Sequence, residues 1–478
     1  MKTVTLGVFC CAAIALAQDA AGVAPQIAAR IRAENLQADV AFLASDTLQG
    51  RATPSPGLDA AAEYIASQFR KAGLEPVGDD NYFQTATYRM ITGVMDGFEL
   101  SSGAVKLNTA TLQEAVATDL KDVAVIETSP DELEKLTVEQ VRGKVLVLDL
   151  TQGGPQGMRR LSPTAQLEPA LTILLTAPTA RNLGARRVMR EASLPASRAA
   201  TIVVADEAMR TALAEPDAKV SVHIAAPKVE MAKARNVVGL LRGTDPVLKD
   251  TYVIVTGHYD HLGVRATGEG DRIFNGANDD ASGTSSVVEI GTALAALGEK
   301  PKRSILFMTV FGEEVGGYGS RYYTSHPIFP LAKTVADINL EQLGRTDDTE
   351  GPRPLQFNLT GFDYTDIAAI MAKAGKQTGI QVVKHEKNSD AFFGRSDNAT
   401  FADAGVPSTT LSVAYVYPDY HAVGDEWPKL DYENMAKVDV CVAVGLWDIA
   451  NSEKAPEWMR ENPKVKRYVE AHDSLQHP

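Results

Sequence analysis

From residue 233 onward, short apolar segments alternate with segments that have a helical pattern. The apolar segments include TYVIVTGH, SILFMTVF and ADINL, and helix-forming stretches such as SGTSSVVEIGTALAALG lie between them. Strands that alternate with helices are joined by crossover connections, so they form a largely parallel sheet that is covered by helices. The pattern therefore predicts a three-layer α/β/α domain with a mostly parallel central sheet over residues 233–478.

Clusters of polar residues stand at the ends of these apolar segments. Ligands of a parallel sheet bind beyond the carboxyl ends of its strands, which is where the clusters fall. The clusters are GHYDHLG (257–263), GANDDASG (276–283), GEE (312–314), NLEQLGR (339–345) and DYHAVGDEW (419–427). Together they supply histidines and several carboxylates, the donors that a two-metal hydrolytic site requires.

The first cluster places His258 and Asp260 at alternate positions. Imidazole binds zinc through one nitrogen and needs its other N–H held, commonly by a carboxylate. We therefore assign His258 as a metal ligand and Asp260 as the residue that orients it. Taken alone, the same pair is also typical of a polar surface turn.

The second cluster contains Asp279 and Asp280 just before a predicted helix. A carboxylate has two oxygens and can bridge two metal ions roughly 3.5–4 Å apart. The alternative is an N-terminal cap, in which Asp280 or Ser282 accepts a hydrogen bond from the first turn of the helix. Both interpretations hold together if the two aspartates point in different directions.

The third cluster ends in the adjacent pair Glu313 and Glu314. If the preceding strand continues through them, their side chains face opposite ways. One can then bind a metal while the other acts as general base towards water. A solvated turn is the alternative for this pair. Glu341 follows another apolar segment, and His421 lies in a loop after the segment VPSTTLSV.

The other histidines lack this placement and are interpreted as ordinary polar residues, although His261 lies close to the first cluster. They are His223, His261, His326, His385, His472 and His477.

Composition and charge limit the partners. The chain has 478 residues, 45% of them hydrophobic, which is a globular composition with length for two or three domains. Its net charge of −14 argues against nucleic acid and anionic membranes as partners. Beyond the N-terminus no apolar stretch is long enough to span a bilayer, so no membrane span is expected in the mature chain.

The N-terminal residues have the pattern of a signal peptide. Lys2 precedes the apolar stretch Val4–Leu16, and small residues flank Leu16. We therefore expect residues 1–17 to be removed and the protein to be exported, either to the periplasm or outside the cell. A buried N-terminal helix is the alternative. Removal also takes Cys10 and Cys11, so Cys441 would have no partner for an internal disulfide.

The rest of the chain divides into two segments with different residue patterns. Residues 18–95 contain helical patterns, among them GLDAAAEYIASQFRKAGLEP, and are assigned to the N-terminal part of the main domain. Residues 96–232 contain short β-like pieces such as KVLVLDL and AATIVVAD between helix-prone stretches. They are predicted to form a smaller inserted α/β domain.

The ordered set HYD, GANDDASG, GEE, INLEQLGR and YH resembles the cocatalytic-zinc exopeptidases, a family that includes aminopeptidase S, aminopeptidase Y and the glutamate carboxypeptidases. The segment LASDTLQGRATPSPGLDAAAEYIASQFRKAGLEPVGD is similar to the N-terminal part of that family. The segment around VRGKVLVLDL in the insertion resembles a protease-associated domain. The resemblance implies two zinc ions per chain and peptides as substrates.

The resemblance also implies a role for each matching residue. His258, Asp279 and Glu341 would hold one zinc ion, and Asp279, Glu314 and His421 would hold the other. Glu313 would be the general base, Asp260 would orient His258, and Tyr420 would polarise the substrate carbonyl. The family often has aspartate at the position of Glu341. A cis peptide bond is expected between Asp279 and Asp280.

These inferences predict an exported two-zinc exopeptidase that releases residues from the N-terminus of peptides. A carboxypeptidase or dipeptidase with the same site is the nearest alternative, and it requires a cation such as Arg395 or Arg345 to hold the free carboxylate. An acyl transferase of the glutaminyl-cyclase type would use one zinc ion, and an inactive receptor-like scaffold would use none.

Overall fold

The computed structural model divides the chain into two compact units. One is formed by residues up to Ala86 together with those from Ala234 onward, and the other by Thr87–Lys233. The residues that the structure describes are 22–151, 162–177, 184–185 and 187–476. The predicted signal peptide, residues 1–17, lies outside the described residues.

The strands differ widely in length. In chain order they are β1 (Glu75–Pro76), β2 (Phe83–Thr92), β3 (Glu99–Ser102), β4 (Val105–Leu107), β5 (Thr111–Glu114), β6 (Thr118–Thr128), β7 (Val145–Asp149), β8 (Leu171–Leu175), β9 (Gly184–Ala185), β10 (Arg187–Glu191), β11 (Ala200–Val204), β12 (Lys219–Ile224), β13 (Lys228–Leu241), β14 (Tyr252–His258), β15 (Gly263–Val264), β16 (Ile273–Phe274), β17 (Ser304–Val310), β18 (Thr334–Leu340), β19 (Asp347–Asp348), β20 (Gly351–Pro352), β21 (Gln356–Leu359), β22 (Gln381–Val383) and β23 (Ser408–Ser412).

The α-helices belong mostly to the first unit. In chain order they are α1 (Val23–Ala28), α2 (Ala33–Leu43), α3 (Pro56–Ala72), α4 (Val138–Val141), α5 (Glu207–Leu213), α6 (Gly283–Ala295), α7 (Tyr318–Ser325), α8 (Ile367–Thr378), α9 (Asn388–Ala391), α10 (Asn398–Asp403), α11 (Tyr432–Asn451) and α12 (Lys466–Gln476).

The central sheet of the first unit has a parallel middle. The strand order of the sheet is β10-β2-β13-β17-β14-β18-β23-β21-β22, and β1 pairs with β13. The four middle strands, β17, β14, β18 and β23, are parallel to one another. The antiparallel pairs lie on either side of them, where β13 meets β17 and β21 meets β23. The predicted mostly parallel sheet is therefore confirmed.

Helices cover both faces of this sheet, as alternate residues of β17 show. Leu306 and Met308 belong to one buried cluster with Tyr323 of α7 and Phe401 of α10. Phe307 points the other way, so that a Cβ on Gly291 of α6 would lie 3.2 Å from its ring. Every residue of β17 is buried, because both faces of a parallel sheet are covered. This is the predicted three-layer α/β/α arrangement.

Helix α3 was predicted correctly because its cap, its apolar stripe and its terminating glycine all lie within the helix or next to it. Ser55 caps its N-terminus by accepting a hydrogen bond from the amide of Leu58, at 3.1 Å. Ile65 and Phe69 of its apolar stripe are fully buried. The helix ends at Gly73, whose φ of 76° is a left-handed conformation that glycine adopts without steric cost.

The second unit is a smaller α/β arrangement around one sheet, of order β4-β3-β12-β6-β7-β8-β11-β5-β9. Its middle strands β6, β7, β8 and β11 are parallel. Val145 and Val147 of β7 face one buried cluster, and Leu146 and Leu148 face a second. The sheet is therefore buried on both sides over this strand.

The limits of the second unit differ a little from those predicted for the insertion. The prediction began at residue 96, after β2, whereas the structural unit begins inside β2 at Thr87. Nothing in the strand's own sequence marks this point, since β2 continues without a turn. The assignment of this unit as a protease-associated domain stays a prediction.

Two further features concern the remaining cysteine and the helices. Cys441 is a buried free thiol on α11. In the described part of the chain, no helix combines the length and the hydropathy that crossing a membrane requires.

Candidate metal centre

The predicted site residues meet at one edge of the central sheet. His258 is the last residue of β14, Glu313 and Glu314 follow β17, and Glu341 follows β18 directly. These three strands are parallel neighbours, so their carboxyl ends lie side by side. His421 comes from the loop after β23, the next strand in the same parallel group.

Asp279 and Asp280 lie in the irregular helical turn Ala277–Ser282, which leads into α6. The peptide bond between them is cis, as the resemblance implied. The Oδ1 atom of Asp280 accepts hydrogen bonds from the amides of Gly283, at 3.0 Å, and Gln342, at 3.1 Å. Asp280 therefore caps α6 and ties the turn to the end of β18, while Asp279 faces the site.

The carboxylate of Asp279 lies between two histidines. Its Oδ1 is 3.2 Å from Nε2 of His258, and its Oδ2 is 3.1 Å from Nε2 of His421. The same nitrogen of His421 is 3.2 Å from Oε2 of Glu314. Glu341 completes a group with His258 and Asp279 in which the donor atoms lie within 4.8 Å of one another. A second group of such donors is formed by Asp279, Glu314 and His261, with His421 in contact with the first two. The two groups share Asp279.

These separations fit zinc. Two ligands with bonds of about 2.0–2.1 Å to one tetrahedral zinc ion lie about 3.3 Å from each other. Three observed distances, 3.1–3.2 Å, fall just below this value. They join Asp279 to His258, Asp279 to His421, and Glu314 to His421. Nε2 of His258 is buried and, among the described residues, has no hydrogen bond of good geometry. Its lone pair is therefore available to a cation.

Asp260 supports the site differently from the prediction. The Nδ1 atom of His258 is 3.2 Å from the backbone oxygen of Asp260 and 3.6 Å from its carboxylate. The carboxylate instead accepts hydrogen bonds from the amide of Glu313 and the hydroxyl of Thr53, both at 3.1 Å. Asp260 therefore orients His258 chiefly through its backbone and fixes the chain at Glu313 through its side chain.

The crowded carboxylates make the site electrostatically suited to cations. Burial raises the pKa of Glu313 well above its usual range, and it raises the pKa of Glu341 to about 7. Hydrogen bonds to Asp279 and then Glu314 raise the pKa of His421 to about 10. Without metal ions, these crowded groups reduce their mutual repulsion by binding protons. Metal ions would do the same, and they would compete with protons for the same carboxylates and histidines.

A cavity of about 300 Å³ opens beside these residues. The residues that line it include Glu313, Glu314, Glu341, Tyr420 and Arg395. Tyr420 stacks on His421, with ring centroids 4.1 Å apart, and burial raises the pKa of its hydroxyl. The hydroxyl therefore keeps its proton and can donate a hydrogen bond into the cavity.

The two candidate arginines have different positions. The guanidinium of Arg395 lies over the ring of Phe392 at the cavity, 4.3 Å from the ring centroid. Arg345 is buried and donates hydrogen bonds to the carboxylates of Asp347 and Asp419 instead. Only Arg395 of this pair can therefore meet a ligand in the cavity.

Asp425 is a supporting residue that the sequence did not single out. Its carboxylate accepts hydrogen bonds from the amides of Asn278, at 3.0 Å, and Asp279, at 3.1 Å. It also accepts one from the hydroxyl of Tyr417, at 2.9 Å. The only sequence signal was its place in the cluster DYHAVGDEW, four residues after His421. Asp425 fixes the turn that presents Asp279.

Arg51 is a second such residue, and it is fully buried. Its guanidinium donates to the backbone oxygens of Tyr259, Asn275 and Gly276, at 2.8, 2.7 and 2.9 Å, and also to that of Leu43. It therefore joins the loop after His258 to the turn before Asp279. A single arginine in the N-terminal segment gave no sign of this in the sequence.

Residues 236–444 match the model described as Peptidase family M28. This part of the chain is therefore similar to peptidase family M28. The matched segment includes every residue predicted to bind a metal.

The curated relatives include aminopeptidase YwaD of Bacillus subtilis, 23% identical over 239 residues that make up 49% of this chain and 48% of the relative. Aminopeptidase NAALADL1 of Mus musculus is 28% identical over 236 residues, 44% of this chain and 29% of the relative. The chain thus spans about half the length of these relatives or less.

Solved structures share the fold of this chain. An aminopeptidase from Aneurinibacillus sp. strain AM-1 superimposes with a TM-score of 0.59 at 19% identity, covering 90% of this chain and 97% of that one. The zinc aminopeptidase of Bacillus subtilis gives a TM-score of 0.51 at 17% identity, covering 89% and 96%. At these identities the likeness establishes the fold.

Proposed function

We propose that the chain is a two-zinc exopeptidase that removes residues from the N-terminus of peptides. The observation that carries the proposal is the position of Asp279, whose two carboxylate oxygens each lie 3.1–3.2 Å from a different histidine. A bridging carboxylate between two sets of ligands is the arrangement of two-metal hydrolases. The family match and the names of its aminopeptidase relatives agree with this proposal.

His258, Asp279 and Glu341 would hold one zinc ion, and Asp279, Glu314 and His421 the other. When bound, two zinc ions supply Lewis acidity to a carbonyl oxygen and make water a nucleophile near neutral pH. Zinc content per chain tests the assignment. Two are expected here, whereas a glutaminyl-cyclase-type transferase would hold one and an inactive scaffold none.

Glu313 is the proposed proton carrier. Its side chain lines the cavity, and its backbone is held by Asp260 at 3.1 Å. As a carboxylate it takes a proton from the attacking water and delivers it to the leaving amine. Tyr420 donates a hydrogen bond to the oxygen that becomes negative during the attack. The two residues thus serve opposite ends of the reacting bond.

The preference for a free N-terminus rests on charge. Zinc ions would balance the charge of the proposed ligands, which leaves Glu313 as the free carboxylate of the cavity wall, and a carboxylate there favours a substrate ammonium over a second carboxylate. The test compares an aminoacyl anilide, its N-acetyl form and an N-acetyl dipeptide with a free C-terminus. Only the free-amine anilide should be cleaved rapidly.

A carboxypeptidase or dipeptidase is the second candidate, because Arg395 lies on the cavity wall. Its guanidinium could pair with a terminal carboxylate through two parallel hydrogen bonds. Rapid cleavage of the N-acetyl dipeptide, lost in Arg395→Ala, would move the assignment to this class and leave the two-zinc site in place.

We also propose that the protein is exported, on the strength of the signal-peptide pattern in residues 1–17. Chemical sequencing of the protein recovered from outside the cytoplasm should give Gln18 as its first residue. Recovery from the cytoplasm with Met1 still in place would refute export.

A further inference from the structure

His261 is a buried histidine beside the proposed metal centre, although it is not among the proposed ligands. Its side chain is almost fully buried, and its amide donates to the backbone oxygen of Arg51 at 3.3 Å. The ring lies against Gly276, where an added Cβ would come within 2.4 Å of its Cγ atom. The backbone contact and the close packing together fix the position of the ring.

The ring of His261 points at Glu314. Its Nδ1 atom is 2.7 Å from Oε1 of Glu314, whereas the other oxygen, Oε2, lies 3.2 Å from Nε2 of His421. The carboxylate of Glu314 is therefore held between two histidines, one at each oxygen. Nδ1 of His261 and Oε1 of Glu314 are both buried, and within the described residues neither atom makes a hydrogen bond of good geometry, although the two lie 2.7 Å apart. A small rotation of the His261 ring would align its N–H with Oε1.

The two distances imply different relations to Glu314. Ligands of one tetrahedral zinc ion lie about 3.3 Å apart, so the contact with His421 is that of two ligands sharing an ion. The contact with His261 is shorter and falls at the length of a charge-assisted hydrogen bond. A buried donor and a buried acceptor that lack other partners gain most by bonding to each other, since each is otherwise cut off from water without a replacement hydrogen bond.

We propose that His261 is a positioning residue that donates its Nδ1–H to Oε1 of Glu314 and so directs Oε2 to the second metal. This inference rests on the proposed two-zinc function. Carboxylate ligands are commonly held by such outer partners, whose loss weakens metal binding by about 10–100-fold. His261 would thus set the affinity of one site and leave the other unchanged.

The test uses two substitutions of nearly equal shape. Asparagine places an amide donor near the position of Nδ1, whereas leucine fills the same space without a donor. His261→Leu, His261→Asn and the wild type are stripped of metal and titrated with zinc against a chromophoric chelator. His421→Ala serves as the loss of a direct ligand. His223→Ala, which changes a half-exposed histidine of the second unit, is the control.

The expected result is two zinc sites in every protein except His421→Ala. One of the two should be weakened about 10–100-fold in His261→Leu, and most of this loss should be restored in His261→Asn. At saturating cobalt, the visible absorption of His261→Leu should match the wild type, because the ligand set itself is unchanged. Thermal unfolding of the metal-free proteins checks that each variant is folded.

Unchanged zinc affinities in His261→Leu would overturn the inference. So would an asparagine variant as weak as the leucine variant, or a cobalt spectrum altered as in His421→Ala, since either would make His261 a direct ligand or a purely structural residue. A wild type that binds fewer than two zinc ions is a different failure, namely that of the proposed function.

Discussion

At the scale of single residues, Glu313 and Glu314 show how neighbours in sequence acquire different roles. Glu314 contacts two histidines through its two oxygens, whereas Glu313 meets the cavity and is fixed through its backbone amide. The sequence predicted that the pair would divide the tasks of ligand and base. The residue-by-residue assignment came from the family resemblance, and the contacts of Glu314 agree with it.

Glu313→Gln should keep two zinc ions per chain and lower kcat by about 10²–10⁴-fold, because it removes only the proton carrier. Glu314→Gln should instead lower zinc occupancy. The measurement is zinc content by mass spectrometry together with kcat on the preferred substrate. The assignment is wrong if Glu313→Gln loses zinc while Glu314→Gln retains it.

Asp425→Asn should destabilise the protein although it changes one atom. The carboxylate of Asp425 accepts from the amides of Asn278 and Asp279 and from the hydroxyl of Tyr417. The NH2 group of an asparagine would face backbone N–H groups that need an acceptor, at a cost of about 1–3 kcal/mol. Thermal unfolding should show the loss. Tyr417→Phe, which removes one donor and leaves the carboxylate, should show a smaller one.

At the scale of secondary-structure elements, local signals were sufficient where the causes are local. The cap at Ser55, the stripe through Ile65 and Phe69 and the stop at Gly73 lie within one helix, so the sequence predicted α3. The contact of Asp425 with Asn278 joins residues 147 positions apart. A single sequence has no signal for such a pairing, and the same holds for Arg51 and His261.

Helix α2 carries a buried carboxyl group whose effect depends on pH. Burial raises the pKa of Asp39 to about 6, and the hydrogen bond from Tyr64, at 2.6 Å, offsets only part of the rise. The folded protein therefore binds this proton more tightly than the unfolded chain does. The stabilisation of the folded protein by this proton is complete below about pH 4, and it is lost as the pH rises through about 6.

Asp39→Asn should remove this loss and raise the free energy of unfolding at pH 7.5 by about 1–3 kcal/mol. Thermal unfolding from pH 4 to 8 is the measurement, and the gap between variant and wild type should widen with pH. Glu34→Gln changes an exposed residue of the same helix and should give a flat difference. A gap that narrows with pH would contradict the sign.

At the scale of the whole molecule, the second unit is inserted between two strands of the first. The amide of Val238 in β13 donates to the backbone oxygen of Tyr82, just before β2, at 2.7 Å. Ala86 lies four residues after Tyr82, and Ala234 four residues before Val238. An antiparallel register then places the two ends of the first unit opposite each other.

Replacing Thr87–Lys233 with an Asn-Gly turn should therefore give a folded protein that still binds two zinc ions, since such a turn closes adjacent antiparallel strands. All the proposed ligands lie in the part that remains. Zinc content and thermal unfolding are the measurements. A folded variant that binds fewer than two zinc ions would show that the insertion contributes to the site.

The buried guanidinium of Arg51 has a consequence for biosynthesis. Arg51, in the N-terminal segment, holds the residues just before the turn that carries Asp279. Asp425, close to the C-terminus, holds the same turn at Asp279. A ribosome-bound chain synthesised as far as residue 400 has the arginine but lacks both His421 and the carboxylate that fixes the turn. Nascent chains and truncated products are therefore expected to be inert. Peptide cleavage would begin only after nearly the entire polypeptide has been made and folded.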